Sequence, residues 1–172
     1  LHLSIRRQRQ MCIRDSLRAV PVLHAAGFPN LVVSYRNDGE APRSRSGSYA
    51  LGAAEWRDVD AAVSYALRHG AERVILMGWS MGGAVALQTA LNSGNRDRIA
   101  GLILESPVID WRSVLRFQAR AAGMRAPLPD LAMSALSVPL TARLSGAENA
   151  ISFDSLDTVS YTHLTLPTNR EV

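Results

Sequence analysis

Hydrophobic positions in the middle of the chain fall into two rhythms. Leu31-Val-Val-Ser-Tyr35, Val74-Ile-Leu-Met77 and Ile99-Ala-Gly-Leu-Ile-Leu104 are short, nearly continuous apolar runs, the pattern of parallel strands buried on both faces. Between them the period becomes helical. Over residues 53–69, Trp56, Val59, Val63, Ala66 and Leu67 form one apolar face, Arg57, Asp58, Asp60 and Arg68 stay off it, and Gly70 ends it. Residues 81–91 read as a small-residue helix closed by Asn92 to Gly94, and residues 17–26 as a short helix interrupted by Pro21 and stopped by Gly27. Residues 36–48, with Gly39, Pro42 and Gly47, read as a loop. Strands alternating with helices predict crossover connections, hence a mostly parallel sheet with helices on both faces, a three-layer α/β sandwich. After Pro107 the alternation stops. Asp110 is the expected N-cap of a helix reaching about residue 122, Gly123 its stop, and a weaker helix starts at Asp130 and breaks at Pro139.

The second apolar run ends in Gly78-Trp79-Ser80-Met81-Gly82, and a helix follows at once. A G-x-S-x-G pentapeptide between a strand and a helix places the serine on a sharp, strained turn with its hydroxyl exposed. Gly78 and Gly82 are expected to be glycine because the chain two residues either side of the serine passes too close for a side chain, and Gly83 gives the helix room against its strand. In an open parallel sheet ligands sit at the carboxyl ends of the strands, which is where Ser80 falls.

Length and composition add bounds. A chain of 172 residues, 47% hydrophobic and 20% charged, with mean hydropathy near zero, suits one domain with a real core. No apolar run approaches the roughly 18 residues of a membrane span, and no apolar stretch follows Arg6, Arg7 and Arg9 to make a signal peptide. With that, the expected location is cytoplasmic. The pI near 10 suggests an anionic partner until the charges are located. Arg6, Arg7, Arg9 and Arg14 against Asp15 give +3, Arg170 against Glu171 gives 0, and of the total of +4 only +1 is left for residues 17–158. A nearly neutral body gives no support to nucleic-acid binding. Every basic side chain is arginine, which fits codon bias, and the single cysteine, Cys12, excludes an internal disulfide.

Both ends break the pattern. Residues 1–16, with MCIRDS, and residues 159–172, VSYTHLTLPTNREV, resemble translated sequencing-adapter read-through at the ends of environmental reading frames. The expected organisation is therefore a non-native extension over 1–16, a partial catalytic domain over 17–158 and a non-native tail over 159–172, with Cys12 and His163 foreign to the protein.

Taken in chain order, Val33-Ser-Tyr-Arg-Asn-Asp-Gly-Glu-Ala-Pro42, Glu55-Trp-Arg-Asp58, Gly78-Trp-Ser-Met-Gly-Gly83 and Glu105-Ser-Pro-Val-Ile-Asp-Trp111 resemble the α/β-hydrolase family, in particular its bacterial serine hydrolases similar to serine aminopeptidase and prolyl-oligopeptidase-like enzymes. The resemblance implies an incomplete α/β-hydrolase core with a helical lid at about 107–150. It also implies a two-step acyl transfer on a small-molecule ester, or a peptide-type amide, without metal or organic cofactor. Ser80 would be the nucleophile and the Met81 N–H an oxyanion donor. Tyr35 and Arg36, with Asn37, are expected at the mouth of the site beside the elbow strand, and Trp79 next to the serine. Trp111, Phe117, Met124 and Leu128 are candidate lid residues for an acyl pocket. The family's order of serine, acid, then histidine is not met. His163 follows Asp154 and Asp157 by 9 and 6 residues, too few for a parallel crossover, and His24 and His69 precede the elbow. The catalytic acid and histidine are thus expected to be absent and the chain itself inactive. Alternatives are a non-catalytic binding module of the same fold or an acyltransferase using the same serine. Substrate identity and oligomeric state are left open.

Overall fold

The computed structural model describes residues 17–38, 41–45, 47–125 and 127–140. Residues 17–25 are helical (α1), and the helix runs through Pro21 without the expected interruption. The elements that follow are α2 (Trp56–Arg68), β1 (Val74–Trp79), α3 (Met81–Asn92), a single 3-10 turn (Arg96–Arg98), β2 (Ile99–Glu105), α4 (Trp111–Ala121) and α5 (Leu128–Ser137). The predicted helix stops Gly27, Gly70 and Gly123 all take positive φ, the left-handed conformation that ends a helix with least strain in glycine.

β1 and β2 pair in parallel, Ile75 with Gly101 through Trp79 with Glu105, with one irregularity between Val74 and Ile75. α3 is the centre of the molecule. Gly83, Ala84, Val85, Ala86, Leu87 and Thr89 are buried on it, because it lies between the β1–β2 pair and α2. A helix apolar all round needs such a position, and its small residues allow close approach on both sides. α2 buries Val63. At the far end of α3, Ser93 Oγ–H donates to Asp60, and Asn95 Nδ2 donates to Asp60 and to Ser64 Oγ at 2.9 Å.

Two expectations change. Residues 31–35 form no strand, since a ladder needs a neighbour and β1 pairs only with β2 among the described residues. Leu31 and Val32 are about half exposed. Helices on both sheet faces are likewise not found there. Side chains alternate along a strand, and Ile75, Met77 and Ile103, on the face away from α3, are exposed. The described part is a two-layer portion of an α/β core.

α4 and α5 form a hairpin that, among the described elements, packs chiefly on itself. Asp110 caps α4 as predicted, accepting from the Ser113 N–H at 3.1 Å and the Ser113 hydroxyl at 2.5 Å. α5 begins two residues before Asp130, with Pro127 as N-cap and Pro129 in its first turn, where proline's missing N–H is not needed.

Candidate active site

Ser80 has φ 49° and ψ −115°, a region that side-chain-bearing residues enter at a cost of about 1–3 kcal/mol and keep only where the surroundings over-determine it. The surroundings do so through the backbone. The Ser80 N–H donates to the Glu105 carbonyl at 3.0 Å, and the Ser80 carbonyl accepts from Gly83 at 3.1 Å, Ala84 at 3.3 Å and Val108 at 3.1 Å. The side chain is left exposed at the carboxyl end of β1. Met81 opens α3, so its N–H is one of the first four that a helix leaves without an intrahelical acceptor, at the positive end of the helix dipole.

The glycines divide differently from expectation. A Cβ on Gly78 would lie 2.5 Å from the Gly82 carbonyl carbon and 2.7 Å from the Gly83 nitrogen, and a Cβ on Gly83 would lie 2.8 Å from the Pro107 Cβ. A Cβ on Gly82 would meet nothing within 4 Å. The close approach is that of the Gly82 backbone to Gly78, so the demand for glycine falls on Gly78 and Gly83 and not on Gly82.

Three side chains were expected to contact substrate. Trp79 donates its indole N–H to Glu105 Oε2 at 2.5 Å. Tyr35 packs edge-on against Tyr49, ring centroids 6.3 Å apart. Arg36 forms a bidentate pair with Asp58 of α2, Nε to Oδ2 and Nη2 to Oδ1 both at 2.8 Å, and its backbone N–H reaches the same carboxylate at 2.9 Å. The guanidinium holds the Asp58 carboxyl below its ordinary range, chiefly by side-chain hydrogen bonding. The strand that was to carry Tyr35 and Arg36 beside β1 is not formed, so their placement at the site mouth loses that support.

Two residues do structural work that the sequence did not show, one of them Asn37, which was expected at the site mouth. Asn37, at φ 69°, is buried and holds its loop through Ser48 and Ser44. Glu55 is fully buried, its carboxylate accepting from the Ala50 N–H at 2.6 Å and the Gly52 N–H at 2.8 Å. Their only signal was membership of the blocks Val33–Pro42 and Glu55–Asp58.

Neither described histidine serves Ser80. His69 stacks on Tyr65, ring centroids 3.9 Å apart, with Nδ1 2.8 Å from the Tyr65 carbonyl. It caps α2 just before β1 begins, and six strand residues at about 3.3 Å each put the elbow roughly 20 Å further on. His24 lines a small cleft with Gly27, Phe28 and Pro29. Asp154, Asp157 and His163, like Cys12, residues 1–16, the end of the lid segment from 141 and the tail 159–172, lie outside the described residues.

In the hairpin, a cleft of about 170 Å³ is lined by Arg116, Arg120, Met124, Pro129 and Asp130. Of the candidate acyl-pocket residues it includes Met124 alone, and Phe117 and Leu128 are exposed, because the hairpin turns them to solvent. Among the described residues, no group of three or more His, Cys, Asp or Glu is placed to hold a metal ion, and no helix is long and apolar enough to cross a membrane.

A family model described as "Alpha/beta hydrolase family" matches residues 14–168. No curated protein and no solved structure matches the chain.

Proposed function

Since this chain belongs to the alpha/beta hydrolase family, we propose that Ser80 is the nucleophile of a serine hydrolase acting on a carboxylic ester or, as a lesser substrate, a peptide-type amide. The observation that carries the reading is the conformation of Ser80. A serine at φ 49°, tied by its backbone on both sides and exposed at the carboxyl end of a strand, serves no packing purpose. It does present a hydroxyl to a ligand.

In this mechanism the Ser80 Oγ attacks the acyl carbonyl while a histidine takes its proton. The carbonyl oxygen becomes an oxyanion facing the Met81 N–H, and collapse releases the alcohol or amine to leave an acyl-serine ester. Water then repeats the sequence and frees the acid. One backbone donor of this kind contributes about 3–4 kcal/mol to the transition state. No hydrogen bond joins a described histidine to Ser80; in this reading the proton acceptor and its orienting acid lie outside residues 17–140, and the 172-residue chain is expected to turn over poorly. No cofactor enters this chemistry.

The test compares the 172-residue chain with one continued in the uninterrupted genomic sequence past Asp157. The continued protein should react with a fluorophosphonate probe, and Ser80→Ala should abolish the labelling. The short chain should hydrolyse a simple aryl ester no faster than its own Ser80→Ala variant. No labelling of the continued protein, or labelling that survives Ser80→Ala, would sink the reading. A genomic continuation with no Asp and His after later strands would favour a non-catalytic module.

A further inference from the structure

The turn after β2 meets the elbow at four points, three of which use only backbone or ring atoms. Ser80 donates to the Glu105 carbonyl, Val108 donates to the Ser80 carbonyl, and Pro107 stands where a Cβ on Gly83 would intrude. Ser106, between them, takes φ 47°. Two successive strand ends thus each carry a serine in a disfavoured conformation, and each turn supplies the contacts that keep the other in place.

The fourth point lies between side chains, Trp79 Nε1–H to Glu105 Oε2. Trp79 and Glu105 are register partners across β1 and β2, so both side chains leave the same sheet face. That face is the open one, with Ile75, Met77 and Ile103 exposed below them, and among the described residues no helix packs there to hold the indole. Glu105 is itself exposed. Water would satisfy its carboxylate, so the bond does not answer a buried charge. It does fix the side chain of the residue that immediately precedes Ser80.

We propose that Glu105 is a positioning residue, which holds Trp79 through its carboxylate and Ser80 through its carbonyl and so sets the direction of the Ser80 hydroxyl. The proposal rests on Ser80 being the nucleophile.

Amide hydrogen exchange and indole resonances of the full 172-residue chain, followed by NMR, test it without relying on reactivity. In Glu105→Ala the Trp79 indole N–H signal should move upfield, and exchange of the Ser80 amide should quicken by about tenfold or more, as the loss of a charge-assisted hydrogen bond at a strand end implies. Exchange at Leu87, in the middle of α3, should not follow. Glu105→Gln keeps an acceptor oxygen and should return Ser80 exchange to within about threefold of the unaltered chain. Should Glu105→Ala not fold, Trp79→Phe removes the donor instead and should quicken Ser80 exchange equally. The proposal is overturned if Ser80 exchange is unchanged, if Leu87 quickens by the same factor, or if Gln restores no more than Ala. These outcomes separate the two readings. Normal labelling of Ser80 in the continued protein with no exchange response faults the positioning role alone, whereas an exchange response when the continued protein goes unlabelled faults the nucleophile assignment alone.

Discussion

Around Ser80 the ties are backbone hydrogen bonds of 3.0–3.3 Å and glycines against backbone or proline atoms, whereas the α4–α5 hairpin carries an ion pair, Arg116 Nε to Asp130 Oδ1 at 2.7 Å, with both side chains more than 40% exposed. The first region buries most of α3, and the second buries Met133 and leaves Phe117, Leu128 and Leu131 in solvent. The two regions differ in what a substitution can remove. Backbone ties cannot be deleted by changing one side chain, so apart from the Trp79–Glu105 bond the elbow is vulnerable chiefly to atoms added where there is no room. The hairpin's Arg116–Asp130 tie is a pair of side chains, and water can replace it. Between these extremes lies the loop from Arg36 to Gly52, whose backbone is held to α2 by the carboxylates of Glu55 and Asp58.

The largest effect should come from Gly78→Ala. Its Cβ would sit inside the backbone of Gly82 and Gly83, and neither can retreat without pulling α3 off β1. A loss of at least about 3 kcal/mol, or failure to fold, is expected in urea denaturation. Gly82→Ala is the matched control. It adds the same methyl group where nothing lies within 4 Å and replaces glycine in a helix, so it should be neutral or stabilising by up to about 1 kcal/mol. Equal losses in the two variants would mean that the elbow is not constrained in the way its geometry implies.

Next comes Glu55→Ala. Removing a fully buried carboxylate leaves the N–H groups of Ala50 and Gly52 without their acceptor, at a cost of about 2–3 kcal/mol. Glu55→Gln should fall between, because the amide offers one oxygen where two N–H groups converge. Chemical denaturation of the three proteins side by side checks the order.

Breaking the Arg36–Asp58 pair should cost about 1 kcal/mol, more than a fully exposed pair because it is bidentate and each side chain is less than a third exposed. The pH dependence has a definite sign. Arg36 depresses the Asp58 pKa in the folded state. The stability it contributes is therefore complete above the unfolded carboxyl's value, near pH 4, and is lost as pH falls through the lower folded value. Asp58→Asn should lose stability at pH 7 and show a shallower decline than the unaltered chain on acidification below about pH 4. Parallel acid limbs for the two proteins would show that the pair is not what the carboxylate feels.

The legible and illegible parts of this chain follow the same division. β1, β2, α2, α3 and the elbow could be read because each is specified locally, by apolar period, by a stop glycine or by the Gly-x-Ser-x-Gly spacing. The Asp110 cap could be read for the same reason. Residues 31–35 have the composition of a strand, but a strand exists only with a neighbour, and no period in the sequence supplies one. The second helix layer is not found among the described residues, although the open face of β1 and β2 carries apolar residues as the covered one does. Glu55, Asp58 and Glu105 could not be found because their partners are 5, 22 and 26 residues away and include backbone atoms, which leave no mark on composition. The role of Gly82 was misread because the pentapeptide names three positions without saying which of them supplies the side-chain space and which the backbone that fills it.

The smallest effect is the one that can undo the opening contrast. Arg116→Ala removes the hairpin's ion pair, yet Arg116 and Asp130 are nearly half exposed, so Coulomb attraction is weakened by water and the freed side chains recover rotamer entropy. A loss of no more than about 0.5 kcal/mol is expected, shrinking further as salt is raised from low ionic strength. The double variant Arg116→Ala/Asp130→Ala should lose hardly more than either single one. A loss above about 2 kcal/mol would place the hairpin among the over-determined parts of the molecule. A coupling of that size would require the Arg116 guanidinium to be shielded from water by the methylene and ring atoms of Met124 and Pro129 that line the same cleft, and would make the hairpin a rigid wall instead of a loosely joined pair of helices.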